Sequence, residues 1–292
     1  MRSEPCKTAV EIDAELLGRD TRGSPLKTRV RPVDGLPGPL RVREVDLQVV
    51  ALIASFFTMV VGAVVGVRVL LLSRRTGQVP ELLLGGSLLL YAAIGQPVMI
   101  ASRPLGAALG YEARVAALCL SLLAIASSLV CLYLFTRAVF RPASRPALAA
   151  VWLGGGLAAV ASVLIVTSIP LTPGDYEPAT RLGLALLSVD FCVAMAWTAT
   201  ESLLYHRQMK RRLAVGLADP VVANRFLLWG TGCGVTSLVP VAMIACVAAG
   251  LDVVMHPLPL LLMSVAGVVI SACWSLTFFP PARYVRWLAA RA

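Results

Sequence analysis

Charge is scarce in this chain. Only 14% of its residues are Asp, Glu, Lys or Arg, while 58% are hydrophobic; a soluble globular domain carries about 25% charge. That deficit excludes an ordinary water-soluble fold. Lysine is rarer still, limited to Lys7, Lys27 and Lys210, none of them embedded in an apolar run. A conventional retinal pigment, which needs a membrane-embedded lysine, is thereby excluded. Histidine is confined to His206 and His256. The apolar pattern sends them to opposite ends of the membrane, so they cannot be paired axial ligands of a haem or share a metal. The seven cysteines include no CxxC pair, and Cys119, Cys131, Cys192, Cys233, Cys246 and Cys273 all fall inside apolar runs, where a thiol is a small packing group. HExxH, a paired-aspartate motif and a Ser/His/Asp set at one membrane depth are all missing. The expectation is a non-enzymatic protein without cofactor or metal.

What the chain has instead is length of hydrophobic run. A helix needs roughly 20 residues to cross a hydrocarbon core of about 30 Å, and seven such runs recur: Leu47 to Leu72, Glu81 to Ser102, Ala113 to Thr136, Pro146 to Ile169, Leu182 to Tyr205, Ala223 to Gly250 and Leu258 to Phe279. The fold class expected is an all-α integral membrane protein, a seven-helix bundle over residues 47–280. Pro80-Glu81 and Asp219-Pro220 punctuate helix starts in the usual way.

The net charge of +10 marks topology, not affinity for nucleic acid. Fourteen Lys or Arg lie at one end of the spans, among them Arg74, Arg75, Arg141, Arg207, Lys210, Arg211, Arg212, Arg283 and Arg286, against Arg103, Arg114 and Arg181 at the other. By the positive-inside rule the C-terminus is cytoplasmic and the N-terminus outside, in a cytoplasmic (inner) membrane. Residues 1–46 run against this, with nine Lys or Arg. Either a disordered tail is translocated or the protein begins near Val42 or Val45. The segment 281–292 has Arg283 and Arg286 with Tyr284 and Trp287, the pattern of an interfacial amphipathic helix. The loop from His206 to Pro220 offers similar basic residues. Both suit anionic lipid or a cytoplasmic partner.

A 3+1+3 internal repeat is suggested by matching Leu82 onward with Phe226 onward, which pairs Gly86 with Gly230 and Pro97 with Pro240. Gln96-Pro97 reverses the Pro-Gln order of loop-repeat transporters, so that likeness fails at its key residues.

Two acids interrupt the fifth span. At 100° per residue Asp190, Trp197 and Glu201 share one helix face. Glu201 falls near the inner interface, within reach of Arg207 and its neighbours. Asp190 falls about 6 Å outside the midplane by the helical rise, where a carboxylate costs at least about 2.5–3.5 kcal/mol. It must be protonated, hydrogen-bonded to polar groups, or bound to a cation. Gln96 falls at a similar depth, and Ser55, Thr58, Ser121 and Ser264 complete an expected polar layer around Asp190. Pro97 and Pro240 are hinge candidates. Gly154, Gly155 and Gly156 are expected to permit close helix packing.

Three functions fit these residues. The first is a sensor or receptor-like module with an outward-facing polar pocket around Asp190 and basic cytoplasmic loops for a signalling partner. The second is a small proton- or cation-coupled transporter using Asp190 and Glu201 as stations. The third is a structural subunit of a membrane complex, which a dry bundle without a cavity would favour.

Overall fold

The structure, a computed structural model, describes residues 39–168, 178–251 and 256–290; the expected tail and alternative starts within residues 1–38 lie outside them. From Leu40 onward the described residues belong to one compact unit. Among them are nine α-helices and one π segment: α1 (Pro39–Thr76), α2 (Val79–Leu89), the π segment (Leu90–Gly95), α3 (Gln96–Leu109), α4 (Tyr111–Phe140), α5 (Arg145–Thr167), α6 (Pro178–Leu213), α7 (Pro220–Ala248), α8 (Pro257–Phe278) and α9 (Ala282–Ala289). No strand occurs among the described residues. Seven helical stretches are long and apolar enough to cross a membrane. The protein is multi-pass and helical, with outward side chains such as Trp152 and Leu153 about three-quarters exposed, as a lipid-facing surface requires.

Spans one, three, four, six and seven match the apolar runs to within a few residues. The second is not one α-helix. Pro97 has no N–H to donate, and its ring opposes the carbonyl four residues earlier. The preceding turn widens into the π segment, where the Gln96 N–H reaches the Tyr91 carbonyl five residues back. The fifth span also differs from expectation. α6 continues through His206, Arg207, Lys210, Arg211 and Arg212 to Leu213, so most of the supposed interfacial loop is a rigid extension of the membrane helix.

Helix contacts arrange the spans in a ring with one outlier. α4 packs against α2, the π segment and α3 on one side and α6 on the other; α6 packs against α7, and α7 against α8. Two small-residue contacts close the ring through α1. A Cβ on Gly85 would stand 3.0 Å from the Gly66 carbonyl, and one on Gly66 would stand 3.2 Å from the Gly85 carbonyl, so the α1 and α2 backbones touch where neither has a side chain. On its other flank Thr58 of α1 bonds to the Gly267 carbonyl (3.2 Å) and Ser271 Oγ (3.1 Å) of α8. The fourth span, α5, sits outside this ring against α4 and α6.

The proposed repeat pairs residues whose settings differ. Gly86 has open space where a Cβ would go, whereas at Gly230 a Cβ would meet Leu203 and Ser202. α2 is followed by a π segment before Pro97, while α7 runs through Pro240 as α-helix.

The basic ends of the helices gather at one end of the bundle. There Phe140, Tyr205 and Phe226 form a ring cluster across α4, α6 and α7, and Arg68 lies 4.4 Å over the Phe279 ring. α9 docks at this end. Tyr284 accepts a hydrogen bond from Asn224 of α7 at 2.8 Å and stacks on Trp287.

Candidate functional site

Asp190 is 1% exposed, and its partner is a residue absent from the sequence-based expectation. Tyr133 of α4 donates to Asp190 Oδ1 at 2.7 Å; the other carboxylate oxygen has no hydrogen-bond partner among the described residues. A hydrogen bond to a polar side chain, one of the three explanations for a carboxyl at this depth, is present. The tyrosine can approach because α5 gives way: a Cβ on Gly154 would lie 2.3 Å from Tyr133 Cε2. Gly154 thus makes room for a side chain and not for a neighbouring backbone. Gly155 is merely close to Val130, and Gly156 faces open space.

The helical-wheel grouping of Asp190, Trp197 and Glu201 holds, and its face looks at α4. Trp197 tilts against Tyr133 at 5.9 Å and its Nε1–H donates to Glu201 Oε1 at 3.3 Å. Glu201 pairs with Arg141 Nε at 2.9 Å, from the end of α4, instead of with Arg207. Arg207 follows about one and two-thirds turns later on the same helix, whereas α4 delivers Arg141 beside it.

The polar layer expected around Asp190 does not assemble there. Gln96 Nε2 donates to Tyr91 Oη at 3.1 Å within its own span. Ser121 donates to the Gly95 carbonyl at 2.8 Å, fastening α4 to the π segment, and Ser264 donates to Leu260 of its own helix. His206 Nδ1 lies 2.7 Å from the Ala223 carbonyl, and His256 caps the start of α8 by accepting from the Leu258 N–H.

What Gln96 does face is a half-open cavity of about 580 Å³, lined by residues of α1, the π segment, α3, α4, α6, α7 and α8. Its volume lies within the range of about 300–1,000 Å³ common for small-molecule sites. The wall is apolar and aromatic with isolated polar groups: Thr58, Tyr91, Gln96, Ser188 and Thr236 among them. Tyr91 stacks on Phe191 at 5.2 Å, joining the π segment to α6. Pro240 also lines it, and so does Trp274, which stacks on Trp229. The lining residues of α6 run from Leu184 to Met195 and those of α7 from Thr236 to Pro240, so the cavity occupies the half of the bundle away from the basic end.

Asp190 is not on this wall; its neighbour Phe191 is. The acid and the cavity are therefore adjacent but separate, one between α4, α5 and α6, the other inside the ring. Tyr91 was missed because aromatic residues in apolar helices carry no mark of their own. The signal available was Gln96-Pro97, a polar residue and a helix breaker together. No protein-family model, curated protein or solved structure matches the chain.

Proposed function

We propose that the protein is a non-enzymatic, receptor-like sensing module of the cytoplasmic membrane, with its N-terminus outside, its C-terminus inside and a small-molecule site in the outer half of the bundle. The cavity is the observation that carries this reading. The orientation rests on the arginine asymmetry, which puts the cavity on the outer side. A route inward exists in α6, 36 residues long or about 54 Å at the helical rise. One part of α6 walls the cavity through Leu187, Phe191 and Met195. Its far end carries Arg207, Lys210, Arg211 and Arg212, a basic face suited to a cytoplasmic signalling protein or to anionic lipid. A purely structural subunit has no use for such a cavity.

Transport is the competing reading, and one feature favours it: Pro240 lines the cavity and Pro97 follows the π segment beside it, which places both hinge candidates where a wall would move. Against coupling to a cation, Asp190 stands off the wall and its bonded oxygen is held by Tyr133.

The test uses a filled cavity as a ligand mimic. Ala266 lines the cavity from α8, and Ala266→Trp occupies part of it. Hydrogen exchange is compared between wild type and variant in nanodiscs. The sensing reading expects altered protection over residues 206–217 and 282–290. Unchanged exchange there, together with proton or K⁺ leak from wild-type proteoliposomes that Ala266→Trp abolishes, would replace sensing by transport.

A further inference from the structure

The cavity wall restricts the chemistry of what it can hold. Among the described residues no Asp, Glu, Lys, Arg or His lines it, so a charged molecule would leave water without gaining a countercharge, at a cost far above that of a neutral one. Four of the chain's eight methionines, Met59, Met99, Met195 and Met263, come to this wall from four different helices. Unbranched thioether side chains adapt to an irregular apolar shape and make favourable contacts with aromatic rings.

The polar groups are mostly engaged. Thr58, Ser188 and Thr236 donate to carbonyls of their own helices, at Ala54, Leu184 and Gly232. Ser55, Tyr91 and Gln96 differ: Ser55 adds a hydroxyl from α1, and Tyr91 and Gln96 form a linked pair. The phenol oxygen accepts from Gln96 Nε2, which leaves the phenol proton and the amide Oε1 without a partner among the described residues. A phenol donor and an amide acceptor side by side satisfy a group that both accepts and donates, or one that accepts only.

We infer that the cavity takes an uncharged organic molecule with a largely apolar body and one carbonyl or hydroxyl group, which docks on Tyr91 and Gln96. This ligand class rests on the sensing module's cavity being a ligand site. The Tyr91–Phe191 stack then lies against the bound molecule, and through Phe191 the ligand touches α6. A molecule lacking the polar group covers the Tyr91 donor and the Gln96 acceptor without pairing them, so binding falls by about tenfold.

The test photolabels the full-length protein in nanodiscs with alkyl-diazirine probes of equal length ending in hydroxyl, methyl, carboxylate or trimethylammonium, and maps the adducts by peptide mass spectrometry. The hydroxyl probe is expected to label Met59, Met99, Phe191 and Met263 saturably. The methyl probe should mark only outward residues such as Leu52, Phe56 and Val193. Tyr91→Phe combined with Gln96→Leu should reduce the cavity labelling about tenfold while the outward labelling persists, which also reports that the variant is folded. Equal labelling of the cavity by hydroxyl and methyl probes, or no loss in the double variant, overturns the docking role of Tyr91 and Gln96. Cavity labelling by either charged probe overturns the ligand class while leaving a ligand-binding receptor intact. Saturable hydroxyl labelling that leaves exchange at residues 206–217 unchanged supports the ligand class and removes the sensing reading instead.

Discussion

Three consecutive glycines in α5 offer a graded test of how Asp190 is held. Replacing Gly154 by Ala puts a methyl group 2.3 Å from Tyr133 Cε2 and 2.6 Å from Cζ, well inside contact distance, so the ring must move. Overpacking of this kind costs about 1–3 kcal/mol. Displacing the ring also breaks the Tyr133 bond to Asp190, and interhelical hydrogen bonds in membranes are worth about 0.6 kcal/mol on average and up to about 1.7. The better helix propensity of alanine returns roughly 0.8–1.0 kcal/mol, so Gly154→Ala should destabilise by about 2 kcal/mol. At Gly155 the nearest atom is Val130 Cγ2 at 3.3 Å, which a small shift relieves, and the change should be near zero. Gly156→Ala meets nothing within 4 Å and should stabilise by up to about 1 kcal/mol from propensity alone. Reversible unfolding in mixed detergent and SDS micelles measures all three. Equal effects at the three positions, or a neutral Gly154→Ala, would refute the claim that α5 exists in part to seat Tyr133 on Asp190.

Tyr133→Phe keeps the ring on Gly154 and removes only the donor, so the same unfolding assay should show a loss of about 0.6–1.7 kcal/mol, smaller than that of Gly154→Ala. Gly85→Ala directs a methyl at the Leu70 N and the Gly66 carbonyl, at 2.8 and 3.0 Å; these are backbone atoms that cannot rotate away, and a destabilisation of about 1–3 kcal/mol is expected, with Gly86→Ala as an innocuous control. Glu201→Gln should cost under about 1 kcal/mol, because Arg141 is half exposed and solvent screens the pair; the small difference from wild type should shrink further when salt is raised in the unfolding buffer. Tyr284→Phe removes the Asn224 bond that holds α9 to α7, and limited trypsinolysis after Arg283 and Arg286 should accelerate without any change in the melting of the bundle.

The spans were legible because their signal is compositional: each needs only about 20 apolar residues, and no tertiary knowledge. The shared face of Asp190, Trp197 and Glu201 was legible too, since helical geometry fixes which residues of one helix point together. Which neighbour that face meets was not. Depth along a helix follows from the rise, and on depth alone Gln96 and Asp190 belong together. Their azimuths separate them. The π segment inserts extra winding before Gln96, and a single added residue turns everything after it by about 100°. Tyr133 and Tyr91 escaped notice for another reason: in an apolar helix a tyrosine reads as a large hydrophobe, and only the facing glycine or glutamine reveals the hydroxyl's use. For Glu201, sequence nearness favoured water or Arg207 and its neighbours, whereas the ring brings Arg141 at the end of α4 to it.

The contact between Gly66 and Gly85 bears on how the protein is made. α1 and α2 are joined by Gly77 and Gln78 alone; Gly77 takes a φ of +69° that closes α1, Ser73 Oγ reaches the Gln78 carbonyl, and Thr76 bonds to Glu81 across the turn. Every atom needed for this two-helix clasp is encoded before residue 90. During synthesis the pair can close as soon as the second helix has left the translocon, with its glycines already apposed and no later span required. Successive helices then assemble onto a preformed edge, and the ring is completed only when α8 arrives to meet Thr58 on the exposed side of α1. Among the described spans α8 is thus the one that completes the cavity wall, which makes a chain truncated before α8 an open-sided bundle.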